Sequence, residues 1–195
     1  MAEIIPRWEW RTFGPSFGSA DEQFAALAPS KVTESNETYF LSSAGDANVK
    51  VRDMLMDIKT LQHVNSDGLE QWKPVMKGSF PLPVREVVKV FDFLAVECPT
   101  LSGGTYSLEE FIEQLAKPDP QLRVVQVHKK RAHYMISGCL AEMTELVADG
   151  KRTRTVALEL EDPARVIATV RQVGLDQFAN TNYQRGLKQL IGWKG

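Results

Sequence analysis

The chain has 195 residues, 43% of them hydrophobic and 25% charged, an ordinary globular balance that excludes a disordered or fibrous chain. A formal net charge of −2 gives no global pull toward nucleic acid or membrane, and no apolar run approaches the roughly 20 residues of a membrane span. Two distant cysteines, Cys98 and Cys139, make neither a disulfide framework nor a zinc site, and residues 1–7 lack the apolar stretch of a signal peptide, so the expectation is one reduced, cytoplasmic domain over 1–195.

In chain order, the first strand is expected over 6–13, with Arg7, Glu9 and Arg11 on one face and Trp8 and Trp10 on the other. Ser19 with Glu22 has the form of a capping box, opening a short helix that buries Phe24 and Leu27 and stops at Pro29. Strands follow at 37–42, 49–53, 55–61 and 69–76; Asp67-Gly68 marks a hairpin, and Pro74 marks an edge or a bulge. Val84, Val87, Val88, Phe91 and Leu94 fall at helical spacing. Ser107 and Glu110 form a second capping box ahead of Leu108, Phe111, Ile112 and Leu115.

Three more strands are expected over 123–136, 139–147 and 154–161, the last two joined by a turn at Asp149-Gly150. Asp162 caps a helix with Pro163 at its first position; Val166, Ile167, Val170 and Val173 form its apolar stripe and Gly174 stops it. A final short helix spans 183–191; the segment from Asn180 to Arg185 is a candidate entry to it that could close a pocket, with no position assigned. Both halves run strands first and helices after, which makes the class α+β.

The charges call for more than this. In the last strand Val156, Leu158 and Leu160 share one face, while Thr155, Ala157, Glu159 and Glu161 share the other. Lys50 aligns with Arg52, Lys129 with Arg131 and His133, and Glu142 with Thr144. A sheet packed on helices has one wet face, and that accounts for any single strand. Roughly six strands share the pattern, however, and like charges two residues apart repel unless something of opposite sign lies between them. A polyanion with a divalent metal supplies that, because Lys and Arg pair with phosphate oxygens and Glu takes hard cations. A barrel-like sheet would gather all of these groups around one cavity.

This pattern resembles the CYTH family, the triphosphate tunnel metalloenzymes. The family's first-strand motif, Glu-x-Glu-x-Lys, corresponds here to Arg7-Trp8-Glu9-Trp10-Arg11: Glu9 and Arg11 keep their charge, and Arg7 reverses it. The basic pair is matched by Lys50 and Arg52, the next strand's lysine by Lys59, the later Lys-x-Arg by Lys129 and Arg131, and the C-terminal acidic strands by Glu142, Glu159 and Glu161. The resemblance covers nearly the whole chain. It implies a closed or partly closed antiparallel barrel with a charged tunnel and helices packed outside.

By the same resemblance the reaction is metal-dependent hydrolysis of a triphosphate or inorganic polyphosphate, with Mg²⁺ or Mn²⁺ as cofactor. Glu9 and Lys59 take the catalytic positions. Arg7, Arg11, Lys50, Arg52, Lys129 and Arg131 hold the substrate, and Glu142, Glu159 and Glu161 hold metal. Arg7 either adds a phosphate contact or removes a metal ligand. Three alternatives stay open: a non-catalytic polyphosphate or nucleotide binder, cyclase chemistry on ATP, and an interaction domain whose charged face is merely wet. The expected partner is a small polyanion, not nucleic acid or membrane, and a homodimer stays open. His63 is read as solvent-facing, His128 and His133 as flanking the Lys-x-Arg motif, His133 as exposed or hydrogen-bonded or else a phosphate contact or proton shuttle, Trp8, Trp10 and Trp72 as core or cover, and the run Lys151-Arg152-Thr153-Arg154 as solvated.

Overall fold

The computed structural model describes residues 6–194. Eight strands form one closed, wholly antiparallel barrel: β1 (Trp8–Gly14), β2 (Lys31–Ser42), β3 (Asn48–Arg52), β4 (Leu55–Val64), β5 (Glu70–Ser79), β8 (Leu122–Ile136), β9 (Cys139–Ala148) and β10 (Lys151–Leu160). Around the ring the order is β1-β10-β9-β8-β2-β3-β4-β5, and closure comes from the pairing of β1 with β5 at Trp8↔Gln71 and Glu9↔Glu70. A separate two-stranded ribbon joins β6 (Leu82–Pro83) to β7 (Thr105–Tyr106).

Several neighbouring strands are joined by two-residue turns. Asp149-Gly150 has both residues at positive φ, as the hairpin twist requires. Ser137-Gly138 and Asp53-Met54 do the same, the latter without a glycine to mark it in the sequence. Pro74 coincides with a bulge: Ile58 pairs with Met76 and Lys59 with Pro74, so Val75 is the extra residue.

Alternation sorts the side chains. On the outside, Phe40, Val49, Val51, Met56 and Ile58 pack against helix α2 (Val84–Leu94) and against Phe111 and Leu115. The latter two belong to α3 (Leu108–Glu110), which runs on as a π-helical stretch over Phe111–Ala116. On the other flank Trp10, Ala141, Met143, Val156 and Leu158 pack against α1 (Ser19–Ala25) and α4 (Pro163–Gln172). The Ser107–Glu110 capping box and the Asp162 cap both form.

Helix α5 (Tyr183–Ile191) behaves differently. Tyr39, Leu41, Val125, Val127, Leu146 and Ala148 lie on the inner faces of their strands, and Tyr183 and Leu187 pack onto them. This helix plugs one end of the barrel instead of covering its outside. Its approach is tied down by Asn180, whose Oδ1 accepts from the Arg11 backbone N–H at 2.8 Å, and by Asn182, which caps it. Gly186 lets the plug seat: a Cβ there would fall within the ring of Phe13, itself edge-on to Tyr183. Gly186→Ala is therefore expected to lower the melting temperature by an overpacking cost of about 1–3 kcal/mol, despite the gain in helix propensity. A melting temperature equal to or above wild type would show that the helix shifts freely.

Four sequence expectations are corrected. No capping box forms at Ser19; Gly18 is the N-cap, and Asp21 instead accepts from Phe17 N–H and from Ser16. Leu27 and Val88 are exposed: Leu27 falls beyond the end of α1, and Val88 sits on the outer side of α2. Strand β2 begins at Lys31 rather than at residue 37, extended by its ladder with β8. The basic run from Lys151 to Arg154 is the start of β10, and Arg154 pairs with Asp21 at 2.8 Å.

Candidate functional site

Above the α5 plug the barrel encloses a cavity of about 370 Å³, within the usual size of a small-molecule site. The inner faces of the strands bring Arg11, Lys50, Lys59, Lys129 and Arg131 to its wall, with Glu9, Glu142 and Glu159. Tyr183 forms the floor: its ring stacks on Tyr39 at 5.6 Å, and Lys129 and Arg11 lie over it at 3.9 and 4.6 Å. Two cations over one aromatic face are favourable when shielded from water.

The deepest ionic contacts centre on Glu37, a residue sequence reasoning passed over. Its carboxylate is fully buried and accepts from Lys129 at 2.9 Å, Lys50 at 3.1 Å and Arg131 at 3.3 Å, with Arg52 at 3.7 Å. Tyr39 and Ser35 donate to it as well. Burial pushes its carboxyl up, but Lys129 and Lys50 outweigh that and hold it well below the ordinary range. Lys129 is only 1% exposed, and burial drives its ammonium well below the usual lysine value against the opposing pull of Glu37.

A second junction joins β1, β8 and β9. The Arg11 guanidinium, 7% exposed, reaches Glu9 at 2.9 Å, Glu142 at 3.2 Å and Thr155 at 3.3 Å. Glu142 also meets Arg131 at 3.4 Å. Burial raises the Glu142 carboxyl, but Arg11 and Arg131 pull it down further, to about 2. Because Glu37 and Glu142 are both depressed from near 4.5, their stabilisation is complete above that value and is lost as pH falls through it toward 2. Melting temperatures measured from pH ~6 to ~2 should fall steeply across the lower half of that window; a flat profile would contradict the assigned pairings.

At the mouth, Glu9 lies directly opposite Glu159 on β10 and Glu70 on β5. Burial, then the charge of Glu9, raise the Glu159 carboxyl, partly offset by Arg7 and Lys59. Arg7 reaches Glu159 at 3.6 Å, and both are near half-exposed. Lys59 makes no ion pair among the described residues. A smaller cavity of about 270 Å³ continues outward past Arg7 and shares Glu9, Lys59, Trp72 and Glu159 with the first.

The sequence-derived metal trio does not assemble. Glu161 falls one residue beyond β10 and is exposed, since the strand ends before its side chain could reach the wall. Glu142 faces Arg11 and Arg131, not Glu159. Among the described residues, no three of His, Cys, Asp and Glu come close enough to hold one ion. The donor set that remains, Glu9 and Glu159, is all-oxygen and suits Mg²⁺ or Mn²⁺ as a pair, which is how Mg²⁺ commonly binds when substrate phosphates and water complete its shell.

Other expected residues fall in different places. Arg52 reaches Glu37 but is half-exposed and lies outside the cavity wall. His133 lines the cavity beside Thr33, whereas His128 is bonded to Glu34 and Asn36. Trp8 and Trp10 pack outside as expected, but Trp72 lines both cavities and donates to Glu70 at 3.1 Å. Tyr39 and Glu70 were missed, and Tyr183 and Gln184 were named only as part of the segment 180–185. The alternation Glu37, Tyr39, Leu41 within the expected strand was the available signal for the first of these. Gln184 is buried beside the cavity and, among the described residues, neither atom of its amide has a hydrogen-bond partner.

The architecture is the one the CYTH resemblance implied: a closed barrel with a charged interior. No family model and no curated protein matches the chain. Solved structures do resemble it. One is a candidate adenylyl cyclase from Hippeastrum described as having a dominant triphosphatase activity, 14% identical over 87% of this chain and 88% of that one, with a TM-score of 0.46. A candidate adenylate cyclase from Bacillus halodurans is 12% identical over 92% and 97%, with a TM-score of 0.49. A conserved hypothetical protein from Pyrococcus furiosus is 13% identical over 94% and 99%, also at 0.49. At these identities no activity carries over to this chain.

Proposed function

We propose that the protein is a metal-dependent hydrolase of triphosphate or inorganic polyphosphate. The observation that carries this reading is the convergence of five cations and three carboxylates on one cavity plugged by α5. A wet sheet face would spread such charges over solvent; here they line an enclosed wall, where charge-assisted bonds to phosphate are strongest. Lys59, Lys50 (15% exposed) and Arg131 (17% exposed) are the cations accessible to a ligand, while Arg11 and Lys129 act from behind them. The ligand is accordingly a small polyanion rather than nucleic acid.

A divalent cation held by Glu9 and Glu159 would supply charge neutralisation at the phosphate oxygens. Lys59, next to both, would hold the phosphoryl group in transfer.

The deciding assay is phosphate release from tripolyphosphate and from ATP, with and without Mg²⁺ or Mn²⁺. Metal-dependent release is expected, and absence of release from both substrates with either metal would end the hydrolase reading. One specific observation favours a second reading, a non-catalytic polyphosphate binder: Arg7 sits on Glu159 at 3.6 Å and competes with any cation there. Arg7→Ala is therefore expected to tighten Mn²⁺ binding and to raise metal-dependent hydrolysis. Weaker tripolyphosphate binding in that variant, with Mn²⁺ affinity unchanged, would instead make Arg7 a phosphate contact.

A further inference from the structure

Glu37 has no counterpart in the charge pattern that led to this cavity, yet it holds more of the cavity's cations than any other group. Its two oxygens take Lys129, Lys50 and Arg131 within hydrogen-bonding distance, with Arg52 just beyond, and its side chain is fully buried. These are the cations a bound oxyanion would need, and a carboxylate is itself a planar oxyanion of similar reach. Anchored to β2, it cannot leave as a free ion would. Counting only the groups that line the cavity, five cations face three carboxylates, and Glu37 behind them halves that positive excess from two to one. A free polyanion carrying several negative charges is poorly balanced by that wall.

We propose that Glu37 is a fixed internal counter-ion that sets the cavity's selectivity: it occupies the seat of a ligand oxyanion among Lys50, Lys129 and Arg131, so that metal-free polyphosphate is excluded and polyphosphate already neutralised by a divalent cation is preferred. This rests on the polyphosphate reading above. It makes Glu37 a positioning residue, acting through the three cations, and separates its role from that of Glu9 and Glu159 at the mouth.

The test is calorimetric titration of metal-free tripolyphosphate and of inorganic phosphate, at low salt with chelator present, into wild type and Glu37→Gln. The variant keeps the shape of the side chain and removes its charge. Its affinity for metal-free tripolyphosphate is expected to rise about tenfold or more, and the preference for the Mg²⁺ complex to shrink. A merely structural Glu37 predicts loss of stability with unchanged or weaker anion binding, and that result overturns the proposal. Should Glu37→Gln fail to fold, Lys129→Met is compared with Lys129→Met combined with Glu37→Gln, which removes the buried pair together. The double variant should bind phosphate more tightly than the single one; equal affinity is again fatal. Failure of wild type to release phosphate would sink the hydrolase reading while leaving this one standing, because the titration reads affinity alone. No binding by either protein would sink both.

Discussion

Glu142→Gln is expected to melt roughly 6–12 °C below wild type, from a loss of about 3 kcal/mol in a chain of this size. The carboxylate bridges Arg11 and Arg131, two guanidinium groups largely removed from water. Removing it leaves two like charges facing each other across the wall formed by β8, β9, β10 and β1, with only Glu9 and Glu37 to balance them. The amide keeps the volume and the bond from Thr144, so the loss is one of charge rather than packing. Chemical denaturation with an unchanged m-value would confirm that the native state alone is affected. A shift below about 1 kcal/mol would mean that water reaches these groups far more freely than their burial indicates.

Lys59→Ala is expected to do the opposite: stability within about 0.5 kcal/mol of wild type, and hydrolysis of tripolyphosphate reduced about 10²–10³-fold. Lys59 lines both cavities beside Glu9 and Glu159, yet makes no ion pair among the described residues. A lysine without an internal partner contributes little to the fold and keeps its full charge for a ligand. If wild type binds without turnover, the same substitution should weaken tripolyphosphate affinity about tenfold. Retained activity and affinity would remove Lys59 from the site. Together the two substitutions are expected to separate a carboxylate that holds the barrel from a lysine that serves a ligand.

Much of this arrangement could be read before any coordinates. Period-two alternation located most of the long strands and separated Trp8 and Trp10 from Glu9 and Arg11, because the pleat sends successive side chains to opposite faces whatever the partner strand. Caps such as Asp162 and the Ser107–Glu110 box depend on residues two or three apart, so local sequence suffices for them. Pro74 announced its bulge for the same reason.

The sequence by itself thus determined the local elements and the charged face of each strand, together with the resemblance that called for a tunnel. Only the tertiary structure decided that α5 enters the barrel instead of covering it, that Glu37 meets Lys50, Lys129 and Arg131, and that Glu161 stays outside. The reason is physical. A strand with one apolar and one charged face has the same alternation whether the charges meet solvent or one another. What distinguishes the two is pairing between distant segments, such as β2 with β8 and β1 with β10, and the register of those pairings fixes which cation meets which carboxylate.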